Sequence, residues 1–154
     1  MPHLTTYLRL ADHSEQILAE SFRTTSGGHA DVADVYYMCE TLAGMSDAHR
    51  RQLSPVLERY GDGSDVDEPE RLRAASLDVA RQGEIGLLRD LQDLHLLATL
   101  VQSTWTVVVQ GAQGLRDREL LDIAQSCLSE TSRQLTWLQT RMKAAAPQAL
   151  IVAP

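Results

Sequence analysis

Cysteine is scarce and unpatterned in this chain. Two thiols, Cys39 and Cys127, stand far apart among 154 residues, with no CxxC spacing and no even-numbered framework. That excludes a disulfide-stapled scaffold and a cysteine zinc site, and it predicts two reduced, buried thiols in a cytoplasmic protein. Basic residues are also in short supply. Fourteen Lys and Arg face twenty-one Asp and Glu, for a formal net charge of -7 and a pI near 5.1. A nucleic-acid binder needs a basic face to displace counterions, and anionic lipid attracts basic segments; neither partner is expected. Long apolar runs are missing too. The most hydrophobic stretch, Leu94 to Val109, is shorter than a membrane span and carries His95, Gln102 and Ser103, so it reads as a buried helix. Residues 1–7 lack a charged region followed by an apolar run, and no secretory leader is expected. Strand alternation, a Gly-rich phosphate loop and a Gly-x-Ser-x-Gly elbow are all absent from the sequence, and with them the common nucleotide-binding and serine-hydrolase chemistries. No catalytic residue set is legible, so the sequence leans away from an enzyme without deciding the point.

What is present is helical periodicity. With 44% hydrophobic residues in a domain-sized chain, there is material for one core. A first helix is predicted from Pro2 to about Thr25, before Gly27-Gly28, and a second from about His29–Asp31 to Tyr60, with Pro55 inside it. A polar loop from Gly61 leads to a short amphipathic helix opened by Pro69 and carrying Leu72, Ala75, Leu77 and Val79. Gly83-x-x-Gly86 reads as a helix break. A third helix is predicted over about 84–113. A fourth, capped by Asp117, extends to Ala146, with Pro147 as its stop. The long middle connection can carry the chain back along the bundle, leaving the second and third helices parallel.

Apolar stripes on these helices are interrupted by polar residues. Glu15 lies in line with Leu4, Leu8, Ala11, Leu18 and Phe22. Ser46 and His49 lie in line with Val35, Cys39, Leu42, Leu53 and Val56. His95 and Gln102 share a line with Leu88, Leu91, Ala98, Trp105 and Val109. An inward carboxylate or imidazole must be paired, hydrogen-bonded or bound to something. The bland reading makes each a satisfied core polar group, with Gln102, Gln110 and Gln134 setting helix register and Met38, Met45 and Met142 filling the core. The functional reading makes Glu15, His49, His95 and Glu130 metal ligands, since inward Glu and His build metal sites in bundles.

The second helix carries Met45-Ser-Asp-Ala-His49-Arg-Arg-Gln-Leu53 with Glu58-Arg-Tyr-Gly61; further on come Gly86 to His95, Trp105, Gln110 and Leu115-Arg-Asp117. With the inward Glu and His, this pattern resembles the ferritin-like superfamily. Arg133-Gln-Leu-Thr-Trp-Leu138 and Ala146-Pro-Gln-Ala-Leu150 add to it. The resemblance covers nearly the whole chain, and within the superfamily it is to a group of uncharacterised bacterial proteins. The resemblance implies an all-α, ferritin-like four-helix bundle with a long crossover containing a short helix. Di-iron members use Glu on the first and third helices and Glu-x-x-His on the second and fourth. Here the second helix offers Ser46-x-x-His49 and the fourth Glu130-x-x-Arg133, so a bridging carboxylate and an imidazole are missing. Counted in helical rise from the turn near Gly27, Glu15 and His49 differ in depth by roughly 15 Å. Cys39 is therefore expected opposite Glu15, and His95 opposite Glu130.

The expectation is a bundle domain over 1–147 without a complete di-iron site, a binding or assembly module needing no cofactor. The alternative is a metal-dependent oxidoreductase or iron-handling protein that holds Fe or Mn on the altered set Glu15, His49, His95 and Glu130. A third possibility is a small-molecule pocket lined by Trp105, Tyr36 and Tyr37. Adjacent Tyr36 and Tyr37 point about 100° apart on a helix, which suggests a second apolar face and a homo-oligomer. The apolar tail 148–154 is expected to dock as an extended segment on its own bundle, on a neighbouring subunit or on a protein partner.

Overall fold

A computed structural model describes residues 2–61 and 74–154. Four long helices account for most of them: α1 (Pro2–Gly28), α2 (Ala33–Tyr60), α3 (Gly83–Leu115) and α4 (Arg118–Pro147). No strand occurs among the described residues. None of the helices is long and apolar enough to cross a membrane.

Each helix buries one stripe against the others, as the period requires. Leu8, Ala11, Leu18 and Phe22 of α1 meet Val35, Cys39, Leu42, Leu53 and Val56 of α2, with Leu120, Ala124, Cys127 and Leu138 from α4 closing the core. The stripe of α3 differs from the predicted one. Its deepest line is Leu87, Leu91, Leu94, Ala98, Val101, Trp105, Val108 and Ala112, and His95 and Gln102 sit half-buried at its edge. Because Leu94 to Val109 is apolar on nearly every face, the period alone leaves the inward direction ambiguous. Gln110, expected inside, is exposed.

Paired contacts set the helix directions. Asp12 meets Arg50 and Ser26 meets Tyr36, so α1 and α2 are antiparallel. Glu15 meets Trp105 and His29 meets Asp90, so α1 and α3 are antiparallel as well. Gln102–Ser132 and Glu84–Gln148 oppose α3 and α4. It follows that α2 and α3 run the same way, with the end of α2 and the start of α3 at opposite ends of the bundle.

The caps follow the residues only in part. Asp117 accepts from the Leu120 N–H at 3.1 Å and starts α4, as its side chain favours. The same carboxylate takes the Tyr60 hydroxyl and Arg59, pinning the end of α2 to the start of α4. Burial works against the Asp117 carboxyl, but these donors hold it below the usual carboxylate range. α3 does not close at Gly114; it ends on Arg116, left-handed at φ 56°.

The short helix expected from Pro69 falls largely outside the described residues. Its described part, 74–82, is not helical. This segment runs beside α1: the Leu77 N–H donates to Ser21 Oγ, and Ala80 lies against Gly28. Nor is Gly83-x-x-Gly86 a break. α3 begins at Gly83 (φ 75°) and runs through Gly86, where a Cβ would meet the Arg81 carbonyl carbon at 2.8 Å. Gly86 is where the connecting segment crosses onto α3, a close approach that only glycine permits. A salt-bridged knot holds that crossing. Buried Asp90 accepts from His29 Nε2 at 2.8 Å, the Arg81 N–H at 2.9 Å and the Arg81 guanidinium at 2.8 Å; the guanidinium also reaches Asp93.

The tail corrects a further expectation. Pro147 does not stop the chain: α4 passes through it (φ -61°, ψ -40°) into a π-helical turn, Gln148–Val152. A proline lacks its own N–H and crowds the preceding turn, and the wider π winding accommodates that. The tail is helical rather than extended. It rests on its own bundle through buried Ala149 and the Gln148–Glu84 hydrogen bond, while Leu150, Ile151 and Val152 remain 65%, 81% and 66% exposed.

Candidate functional site

The bundle interior carries one chain of ionisable groups that spans three helices. Glu15 sits on the buried line of α1, His49 on that of α2, and both are fully buried. His49 Nδ1 bonds to Glu15 Oε2. On the other side of the ring, Nε2 lies 3.3 Å from Glu130 Oε1 on α4. From α3, the fully buried indole of Trp105 donates to the same Glu15 Oε2 at 3.2 Å. Glu130 differs from the others: its side chain keeps 33% of its exposure, so this end of the chain reaches water.

Burial alone would push the His49 imidazole down. The adjoining Glu15 and, more weakly, Glu130 overcome that and hold it above its ordinary value. Nearby Cys127 is buried and its thiol is pushed up, first by burial and then by the fields of Glu15 and Glu130. Cys39, further along α2, is pushed up to about 12. Both thiols therefore stay protonated, which fits neither a nucleophile nor a thiolate ligand.

One turn along, the bundle places Ser46 and Gln134. The Gln134 amide donates to Leu42 O at 3.0 Å and to Ser46 Oγ at 3.1 Å. Ser46 thus accepts from a core amide with its hydroxyl oxygen. Among the described residues, three buried side-chain atoms lack a protein partner: Ser14 Oγ, Glu15 Oε1 and Gln134 Oε1.

Three of the four sequence candidates, Glu15, His49 and Glu130, come together. The expected absence of a Glu15–His49 contact is wrong, because the turn residues between α1 and α2 add almost no helical rise. Measured from Gly28 and from Ala33, where the helices end and begin, the two side chains differ by three residues, about 5 Å. Cys39 faces the core without meeting Glu15. His95 is the candidate left out. The Gln102–Ser132 and Glu84–Gln148 contacts set a register that puts it about 12 Å from the level of Glu130. Trp105 is buried at the centre while Tyr37 is 68% exposed, so the proposed Trp105–Tyr36–Tyr37 pocket does not form. The His29–Asp90 pair had no legible signal, since its third member, Arg81, comes from an irregular segment.

A di-iron centre does not fit these residues. Each ring nitrogen of His49 is committed to a carboxylate, and the two carboxylates lie on opposite sides of the ring. No single ion can take His49 together with Glu15 and Glu130 in this arrangement. No group of three or more His, Cys, Asp or Glu among the described residues has metal-holding geometry. Compared with protein-family models, with curated proteins and with solved structures, the chain matches none.

Proposed function

We propose that this chain is a ferritin-like bundle in which a carboxylate–imidazole–carboxylate bridge stands in place of a di-iron site, and that it acts as a binding or assembly module rather than a redox enzyme. The observation that carries the reading is the double commitment of His49, one ring nitrogen to Glu15 and the other to Glu130. The parallel course of α2 and α3 and the inward Glu and His at mid-bundle support the ferritin-like part. Ser46 and Arg133 at two of the ligand positions support the absence of a working centre. Apolar surface supports assembly: Tyr37, Leu150, Ile151 and Val152 are all more than half exposed. Elemental analysis of protein purified anaerobically under iron-replete conditions tests the proposal. Substoichiometric metal is expected, and about two equivalents of Fe or Mn per chain, the two-metal stoichiometry, would overturn it. Sedimentation tests the assembly, which a lone 17.0 kDa species at micromolar concentration would contradict.

One observation favours the alternative, a metal-handling protein with an altered ligand set. Glu15 Oε1 is buried without a partner, and Glu130 is open to water. In that reading Glu15, His49 and Glu130 rearrange around one ion. Glu130→Ala would then abolish uptake with helix content intact, and His95→Ala would not.

A further inference from the structure

Three of the helices turn charge to water. Exposed on α1 are Glu20 and Arg23, on α2 Glu40 and Arg51, and on α4 Asp122 and Arg133. α3 is the exception. No Asp, Glu, Lys or Arg occurs from Leu94 to Leu115, in a chain that is 23% charged. Two exposed rows with a seven-residue repeat make up its outward face: Leu96, Ser103 and Gln110, and beside them Thr99, Thr106 and Gln113. Seven-residue spacing keeps a seam on one side of a helix, as in a coiled coil. The Thr99, Ser103 and Thr106 hydroxyls donate to carbonyls of their own helix at 2.8, 2.9 and 2.9 Å, so they need nothing from solvent. Thr99, Thr106 and Val107 are β-branched, poor choices for exposed helix positions where propensity alone decides. Leu96 is 64% and Val107 48% exposed. These residues suit a face that is packed against.

Charge selects the occupant. At a formal net charge of -7, two copies of this chain repel wherever like charges meet. The α3 face brings none together, whereas a basic partner would be drawn to the charged faces instead. Lipid fits poorly, because Thr, Ser and Gln outnumber the apolar residues. The borders of the face carry opposite charges, Asp93 before it and exposed Arg116 after it. Arg81 uses only Oδ2 of Asp93, and the Asp93 side chain keeps 45% of its exposure. A parallel copy would set Asp93 against Asp93 and Arg116 against Arg116. An antiparallel copy sets Asp93 of each against Arg116 of the other. The same register brings Leu96 to Gln113, Thr99 to Gln110 and Ser103 to Thr106 of the second copy, one row against the other throughout. We propose that the outward face of α3 is a self-pairing surface, across which two copies pack antiparallel about a two-fold axis between Ser103 and Thr106. Each contact then occurs twice, as in any isologous interface. The proposal rests on the assembly reading above and names a surface separate from the exposed tail.

Charge insertion at the axis tests it. By sedimentation at micromolar concentration, the parent is expected at twice 17.0 kDa. Thr106→Arg and Thr106→Glu each place two like charges beside the axis, and each alone should run as a 17.0 kDa species with helix content unchanged. An equimolar mixture of the two should return the dimer. Register is tested with Leu96→Cys and Gln113→Cys under a mild oxidant. The mixed proteins should cross-link, since a disulfide needs Cα atoms within about 7 Å. Either alone should not, because its two new thiols would lie roughly 25 Å apart along the seam. The natural thiols, Cys39 and Cys127, are buried and stay out of the reaction. A parent that remains at 17.0 kDa would overturn both this pairing and the assembly reading. An oligomer indifferent to both Thr106 changes, or variants that do not recombine, would overturn the α3 face and leave assembly standing. Self-cross-linking of Leu96→Cys would overturn the antiparallel register.

Discussion

His49 Nδ1 and Glu15 Oε2 meet in the fully buried interior, although the two residues stand thirty-four positions apart and on different helices. Neither side chain reaches solvent, so each is the other's main compensation for leaving water. Removing one partner should expose the cost of the other. Glu15→Ala is expected to lower the unfolding free energy by about 3–5 kcal/mol, the usual penalty for stranding one member of a buried ion pair. Urea denaturation measures it, and a loss within about 0.5 kcal/mol, the range of inert surface changes, would show that the pair carries no stability.

Stability should depend on pH through His49. Its folded value is raised above the unfolded one by the two carboxylates, against the opposing effect of burial. The folded state therefore binds the proton more tightly than the unfolded state does. The stabilisation is complete below about 6.5, the ordinary imidazole value, and is lost as pH rises through the higher folded value. Melting temperature is expected to fall on the alkaline side of that value, and His49→Gln should remove that part of the slope. An identical slope in the variant would assign it to other groups.

Glycine positions make a matched pair. At Gly86 an added Cβ would lie 2.8 Å from the Arg81 backbone, which cannot swing away as a flexible side chain would. Gly86→Ala should cost about 1–3 kcal/mol, the range for overpacking. Gly44, exposed within α2, has nothing within 4 Å of a new Cβ. Gly44→Ala should instead stabilise by about 0.5–1 kcal/mol, the helix-propensity difference. Thermal melts of the two variants should move in opposite directions.

Asp90 holds the 74–82 segment to both the α1–α2 turn and α3. Asp90→Ala removes the acceptor of His29, the Arg81 N–H and one arm of the Arg81 guanidinium. Faster limited proteolysis within residues 74–82 is expected, at protease levels that leave the four helices intact. An unchanged cleavage rate would mean that Leu77 and Gly86 alone secure the segment.

The π-helical tail leads to a different expectation from one that buries its large apolar side chains. With Leu150, Ile151 and Val152 mostly exposed, truncation after Ala149 should leave the stability of the isolated chain within about 0.5 kcal/mol. If the chain assembles through this surface, sedimentation of the truncated protein should shift to smaller species. A large loss of monomer stability would show the tail to be part of the core.

The four helices were legible in the sequence because a stripe of apolar residues at a 3.6-residue period forces one face inward whatever it packs against. The same stripe marked Glu15 and His49 as buried, since a polar residue at an apolar register must point the same way as its neighbours. Asp117 was legible as a cap for a local reason: its side chain bonds to the N–H three residues on. The meeting of Glu15 with His49 was not legible. It depends on where α1 ends and how few ångströms its turn consumes, and a few residues of error shift the predicted partner by more than one helical turn. The inward line of α3 was hidden by its own hydrophobicity, which left His95 misplaced until Trp105 and Leu94 packed inward. Gly86 and Asp90 acquired their roles only when Arg81, from a segment without periodicity, crossed over them. Periodicity decided which residues go inside, because it acts along one helix. Tertiary packing decided which of them touch, because contact between helices depends on turn lengths and registers that no single helix encodes.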